Sequence, residues 1–296
     1  MNIRDFGMDT ITMAGTLPAK LQAIAAGGFD QVMLSARDLT GHAEGVDDAV
    51  ALVKASGLRV TGFQVLRDFE GLDGHLHGYK VDIAKGMIEM CAALGSHVLL
   101  ACSSVSQHAT GDIDAIARDL RKLAMLALPC GIRVAYEALS WGRHTNEMHR
   151  AWQPAVLADM PNLGICIDSY HVLATKTPLD VMHAFDASKI MLVQLADFMW
   201  SEVRTPEERM NTARTFRVFP GEGVHTAALT QLVLKLDAMG YRGDYSFEVF
   251  NDDYQQMRPS NVASRAHRSA LWLAEDVLQR AVPLPGDSRM RAGTTA

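Results

Sequence analysis

The sequence predicts an α/β protein folded as a single (β/α)8 barrel, and three observations carry that expectation. Short β-rich runs alternate eight times with longer stretches of helical period. Most of those runs are apolar on both faces, as buried parallel strands must be. The first run leads into T-I-T-M-A-G-T-L-P-A-K, which lacks the G-x-G-x-x-G turn of an open dinucleotide-binding sheet. A chain of 296 residues suits either one such barrel or two medium domains, and no linker divides it. The TIM-barrel arrangement is therefore expected over residues 1–282, with a disordered, Pro/Gly-rich polar tail at 283–296.

In chain order the strands are expected at Thr10–Met13, Gln31–Leu34, Val60–Gln64, His97–Ala101, Val134–Glu137, Gly164–Asp168, Ile190–Leu195 and Tyr245–Phe250. The helices between and after them are expected at Leu17–Ala26, Asp47–Ser56, Lys80–Leu94, Asp112–Leu128, Asn146–Ala158, Leu179–Ala184, Thr226–Met239 and Asn261–Ala281. Several end in glycine, as in K-A-S-G, A-A-L-G and A-M-G, because glycine takes the left-handed conformation that stops a helix without a Cβ penalty. The connection Asp197–Gly223 is unusually long and reads as a lid or binding loop. Within it, P-G-E-G is too short for a phosphate loop and reads as a turn.

A hydrophobic content of 48%, a charged content of 21% and a net charge of -6 describe an ordinary globular enzyme-sized protein. The acidic balance and the lack of a basic run argue against a nucleic-acid partner. No apolar stretch approaches the roughly 20 residues of a membrane helix, and the charged N-terminus is unlike a signal peptide. A cytoplasmic location, no membrane partner and a small-molecule substrate are expected, with homo-oligomer formation open. Cys91, Cys102, Cys130 and Cys166 form no C-x-x-C pair and read as buried, reduced thiols.

Barrel enzymes build their sites from the C-terminal strand ends and the following loops. Gln64, Glu137, Asp168, Gln194 and Glu248 each stand at or close to such an end. A carboxylate closing an apolar strand is costly to bury unless it is paired, hydrogen-bonded or bound to a metal. Any one of them could brace the rim through an ion pair. Together, from the fifth to the eighth strand, Glu137, Asp168, Gln194 and Glu248 suggest a cation, and an all-oxygen set suits Mn2+ or Mg2+ better than zinc. His171 follows Asp168 closely enough to exchange protons with a bound ligand, and His144 approaches from the adjacent loop or is only a packing residue. Arg67 and Arg217 lie in loops where either could hold a substrate carboxylate bidentately, although Arg67 could instead pair with Asp68 or Glu70. Trp141, Phe69 and Phe250 could wall a pocket.

The segments V-A-Y-E-A-L-S-W-G-R-H, C-I-D-S-Y-H, L-V-Q-L-A-D, R-V-F-P-G-E-G and S-F-E-V-F-N-D together resemble the xylose-isomerase-like sugar-phosphate isomerase/epimerase superfamily. Within it the likeness is closest to bacterial 3-dehydroshikimate dehydratases, and Q-V-L-R-D-F-E-G strengthens the narrower resemblance. The resemblance implies that Glu137, Asp168, Gln194 and Glu248 ligate a divalent metal, that His171 is an acid/base and that Arg217 binds substrate. Glutamine at 194 is like the dehydratase domains that some bacteria fuse to a dioxygenase-like domain. This chain holds one barrel, so one activity is expected of it. Glu222, where glutamine is expected, and Ala213 and Thr215, in a stretch more polar in those relatives, set the long connection apart.

The implied reaction is metal-dependent conversion of 3-dehydroshikimate to protocatechuate through a metal-stabilised enolate. His171 is the first candidate for the base and His144 the second, with Arg67 and Arg217 holding the carboxylate. The main alternative is a ketose isomerase or epimerase of the same superfamily, in which Glu137 and Glu248 would share the proton transfers. A repair endonuclease would require more metal ligands and a DNA-binding charge balance, and a sugar-binding barrel gives no reason for a ligand quartet.

Overall fold

The computed structural model describes residues 3–279. Ten strands run in chain order as β1 (Phe6–Asp9), β2 (Gln31–Ser35), β3 (Arg59–Arg67), β4 (Val98–Cys102), β5 (Arg133–Glu137), β6 (Leu163–Asp168), β7 (Ile190–Leu195), β8 (Asp197–Phe198), β9 (Arg217–Val218) and β10 (Tyr245–Phe247). Eight of them close a barrel in the order β1, β2, β3, β4, β5, β6, β7, β10. Every neighbouring pair in it is parallel.

The surrounding helices are α1 (Leu17–Ala26), α2 (Ala36–Thr40), α3 (Val46–Ala55), α4 (Gly74–Ala93), α5 (Ile113–Ala127), α6 (Met148–Leu157), α7 (Ser169–Thr175), α8 (Pro206–Thr215), α9 (Thr226–Ala238), α10 (Asp252–Gln255) and α11 (Pro259–Leu271). Outward-facing strand residues such as Phe6, Phe63, Val134, Ile165, Val193 and Phe247 pack under these helices in the main core. Met33, Val98, Leu100, Ala135, Cys166 and Leu192 belong to a second, smaller core cluster. The double-faced burial expected of parallel strands is thus met. Among the described residues no helix is long and apolar enough to cross a membrane.

Several sequence expectations need correction. The first strand is Phe6–Asp9, not Thr10–Met13. Thr10–Thr12 is a 3-10 turn whose N-cap, Asp9, accepts the Ile11 N–H. Its β-branched residues imitate a strand, while the true strand requires glycine at position 7, where a Cβ would lie 2.8 Å from Gln31 Cγ. The helix after the sixth strand is α7, capped by Asp168, whereas Leu179–Ala184 forms a 3-10 helix.

The long connection is built rather than loose. Thr205 and Glu208 form a capping box that starts α8, and β8 pairs antiparallel with β9. Glu222 N–H closes the P-G-E-G segment onto the Phe219 carbonyl at 3.0 Å, as a turn. Of the cysteines expected to be buried, Cys130 is exposed because it sits on the turn after α5. The tail at 283–296 and the last residues of the final predicted helix lie outside the described residues.

Candidate active site at the barrel mouth

Parallel pairing brings strand-end residues into neighbouring positions. Glu137 on β5 is in register with Cys102 on β4 and Cys166 on β6, and Asp168 is in register with Gln194 on β7. Glu248 follows β10, and its N–H donates to the Leu195 carbonyl at 3.3 Å. Glu137, Asp168, Gln194 and Glu248 are all almost wholly buried.

One ligand atom each from Glu137, Asp168 and His171 lies within 4.8 Å of the others, a geometry able to hold a metal ion. The Oε1 of Glu137 is buried without a hydrogen-bond partner, as an oxygen meant for a cation would be. Its Oε2 accepts from the Cys102 thiol at 2.8 Å. Oxygen donors with one imidazole nearby fit a hard divalent cation.

Arg217 compensates the negative charge. Its Nη1 donates to Asp168 Oδ2 at 2.7 Å and to Glu248 Oε2 at 2.9 Å, with the side chain only 2% exposed. Its guanidinium stands 4.5 Å from the Tyr170 ring and 5.5 Å from the Phe250 ring. The placement comes from the long connection: Arg217 N–H donates to the Phe250 carbonyl at 2.9 Å, and Asn251 Nδ2 donates to the Arg217 carbonyl at 2.7 Å. Burial disfavours the charged guanidinium, but the Asp168 and Glu248 carboxylates outweigh it and hold Arg217 above its usual range.

The same crowding raises the acids. Burial and the Asp168 charge push Glu248 up to about 7 against the pull of Arg217. Burial, with Glu248 and Asp168 nearby, holds Glu137 well above the carboxylate range.

His171 stands on α7, one turn after Asp168, because Asp168 Oδ1 accepts the Tyr170 N–H at 2.7 Å and starts the helix. The Ser140 backbone nitrogen lies 3.1 Å from His171 Nδ1, and Ser140 Oγ lies 3.0 Å from the same atom. The other nitrogen, Nε2, is 3.6 Å from Asp168 Oδ2. Burial drives the ring down to about 3, only partly opposed by Asp168, so His171 is neutral near pH 7. Trp141 meets its ring edge-on at 5.1 Å.

The remaining candidates divide. Arg67 is exposed at the end of β3. It lies close enough to add positive potential at Glu248 and Cys102. Pairing with its neighbours is not seen: Asp68 accepts from Val105 N–H at 2.8 Å and Glu70 accepts from Ser104 N–H at 2.6 Å. His144 does not join the cluster. Its Nε2 lies 3.0 Å from the Ala109 carbonyl, and its ring fills the space beside Gly111, pinning one loop to the next. Phe69 packs against His77 in the core rather than walling a pocket.

Sequence reasoning missed Ser140, the partner of His171, and Asp9, whose side chain accepts from Gln64 Nε2. A period-2 reading of F-G-M-D would have found Asp9 at a strand end; Ser140 carries no such signal.

The profile of the xylose isomerase-like TIM barrel family matches residues 21–275. The chain is 35% identical over 271 residues to a 3-dehydroshikimate dehydratase of Pseudomonas putida, covering 92% of this chain and 42% of that protein. It is 36% identical over 277 residues to a 3-dehydroshikimate dehydratase of Pseudomonas aeruginosa, covering 93% and 43%. A solved structure of a xylose isomerase-like TIM barrel/4-hydroxyphenylpyruvate dioxygenase fusion protein superposes with a TM-score of 0.86 at 34% identity, covering 95% of this chain and 45% of that one. The chain thus spans less than half the length of these relatives. By profile, sequence and superposition, it belongs to the xylose isomerase-like TIM barrel family.

Proposed function

We propose that this barrel is a divalent-metal-dependent hydro-lyase that converts 3-dehydroshikimate to protocatechuate. The observation that carries the reading is the 35% identity to a 3-dehydroshikimate dehydratase over 92% of the chain. Glu137, Asp168, Gln194 and Glu248 would hold Mn2+ or Mg2+, and the cation would supply Lewis-acid polarisation of the substrate ketone.

The chain's own groups do the rest. In the tautomer whose Nδ1–H donates to Ser140 Oγ, which leaves Nε2 unprotonated, His171 takes the proton from the hydroxyl-bearing carbon through Nε2 and returns it to the departing hydroxide, so that one water leaves, the residue is regenerated and the resulting dienone tautomerises to the aromatic product. Ser140 fixes Nδ1 and therefore the direction in which Nε2 points. Arg67 binds the substrate carboxylate. Arg217 has Nε on the Ala213 carbonyl and Nη1 on the carboxylates, leaving Nη2 for the substrate.

Arg67→Ala is expected to raise KM about tenfold or more, the worth of a charge-assisted hydrogen bond. Lysine at that position should not restore KM, because it lacks the bidentate fork. Mn2+ affinity should not weaken in either variant, since the alanine only removes a positive charge near Glu248 and the lysine keeps it, and a steady-state assay beside a metal titration checks this.

Metal binding must displace protons from the raised carboxyls, since only carboxylates ligate. Mn2+ affinity is therefore expected to tighten as pH rises from about 5 to 8, through the Glu248 value of about 7. The sign for stability follows. A carboxyl raised by folding above its value of 4.5 costs the metal-free protein stability as pH rises through that interval. Chelation should then lower Tm more at pH 8 than at pH 5, which thermal scans with and without chelator would measure.

The reaction itself is tested by offering the metal-loaded protein 3-dehydroshikimate and, separately, neutral ketoses. Protocatechuate from the first alone supports the dehydratase. Ketose interconversion without protocatechuate would replace it with an isomerase of the same superfamily.

A further inference from the structure

Three sulfurs line the inner face of the barrel beside the acids. Cys102 on β4 and Cys166 on β6 flank Glu137 in register, and Met33 on β2 stands in register with Asp9. All three belong to the smaller core cluster and are almost wholly buried. A buried cysteine commonly acts as a small apolar filler. Here each thiol also donates to a side chain assigned above to the metal.

The Cys102 thiol donates to Glu137 Oε2 at 2.8 Å, and Glu137 Oε1 is left buried without a hydrogen-bond partner. The Cys166 thiol donates to Gln194 Oε1 at 3.3 Å, while Gln194 Nε2 donates to the Met33 thioether at 3.8 Å. Burial holds both thiols well above their usual range, so each keeps the proton it donates. A carboxamide can turn either end to a neighbour, and only its oxygen ligates a hard cation. Flipped, Gln194 would set that oxygen against the Met33 sulfur, which has no proton to give. The two sulfurs therefore keep the oxygen on the side of β6, the strand that carries Asp168. One lone pair of Gln194 Oε1 takes the thiol proton and the other stays free. Groups behind the ligands commonly set their orientation in metal sites.

We propose that Cys102 and Cys166 are positioning residues, thiol donors that hold Glu137 and Gln194 with an oxygen lone pair of each left for a divalent cation. The proposal rests on the reading of Glu137 and Gln194 as metal ligands. Among the described residues, the cluster able to hold an ion includes neither cysteine, so the sulfurs act through the ligands.

The test titrates Mn2+ into the full chain by calorimetry for wild type, Cys102→Ala, Cys102→Ser, Cys166→Ala and Cys166→Ser, with Tm of each protein measured without metal. Glu137→Gln and Gln194→Leu are the ligand controls. Both alanine variants are expected to bind Mn2+ about 10-fold more weakly, the lower end of what losing a group behind a ligand does. Serine keeps a proton to donate, so both serine variants should bind within about threefold of wild type. A packing role could not separate the two substitutions, because serine and alanine leave nearly the same void where the sulfur was. Alanine variants that bind Mn2+ as wild type does would overturn the proposal. So would serine variants as weak as the alanine ones, or affinity that falls only in step with the metal-free Tm. If the controls lose Mn2+ while all four cysteine variants keep it, the positioning role alone fails. If the controls bind like wild type, or wild type binds no Mn2+, the ligand reading fails and takes the positioning role with it.

Discussion

Arg217→Met is expected to destabilise the metal-free protein by about 3–5 kcal/mol, because it strips the positive partner from two buried acids. Asp168 Oδ2 and Glu248 Oε2 both depend on Arg217 Nη1, and the three side chains are nearly inaccessible to water. Raised carboxyl pKa values limit the damage only by protonating the acids, so the loss should deepen above pH 7, where Glu248 ionises in the native protein. Saturating Mn2+ should recover much of the loss, since a cation replaces the lost charge, and 100-fold excess over Kd alone contributes about 2.7 kcal/mol. Turnover should still fall at least about 100-fold, because the metal restores the charge balance but not the hydrogen bonds to substrate. Thermal scans with and without Mn2+ measure this. An unchanged metal-free Tm would mean that the guanidinium and the acids are not coupled.

His171→Ala is expected to lower kcat by about 10^2- to 10^4-fold while leaving Mn2+ content intact, as removal of a proton-transfer group does. The geometry makes the metal measurement necessary, because His171 also stands within the Glu137–Asp168 ligand cluster. Loss of Mn2+ along with activity would make it a ligand instead. Stability gives an independent sign. The folded ring sits near 3 and the unfolded ring near 6.5, so the unfolded chain binds the extra proton between those values and stability is lost as pH falls through that window. The alanine variant lacks that loss and should tolerate acid better than wild type.

The barrel was legible because its signal is local. V-A-Y-E, I-C-I-D and L-V-Q-L alternate between the outer and the inner core clusters, and each carries, at its last position or the one before it, a polar residue that has no reason to be there in an inert strand. The first strand was hidden because F-G-M-D offers four residues and a glycine, while the neighbouring T-I-T-M has the stronger β propensity. The helix that carries His171 was hidden for a related reason: Asp168 serves both as strand end and as N-cap, so strand and helix share a residue.

What the sequence leaves unread is long-range. The Arg217 pairs join residues 49 and 31 positions apart, and the Gln64–Asp9 contact joins residues 55 apart. No spacing rule reaches that far. His144 shows the converse. A histidine near a candidate ligand in sequence finds its partner at Ala109, in a neighbouring loop, once the chain is folded.

The central claim is that the ring of acids at the mouth works through a divalent cation on 3-dehydroshikimate. It is tested most directly by stripping the protein with a chelator, returning Mn2+ stepwise and following protocatechuate by its absorbance. A metal-dependent dehydratase gives no product before metal is returned and a saturable rise afterwards, steeper at pH 8 than at pH 6. Product at an undiminished rate in excess chelator, or none from folded, metal-loaded protein, would contradict it.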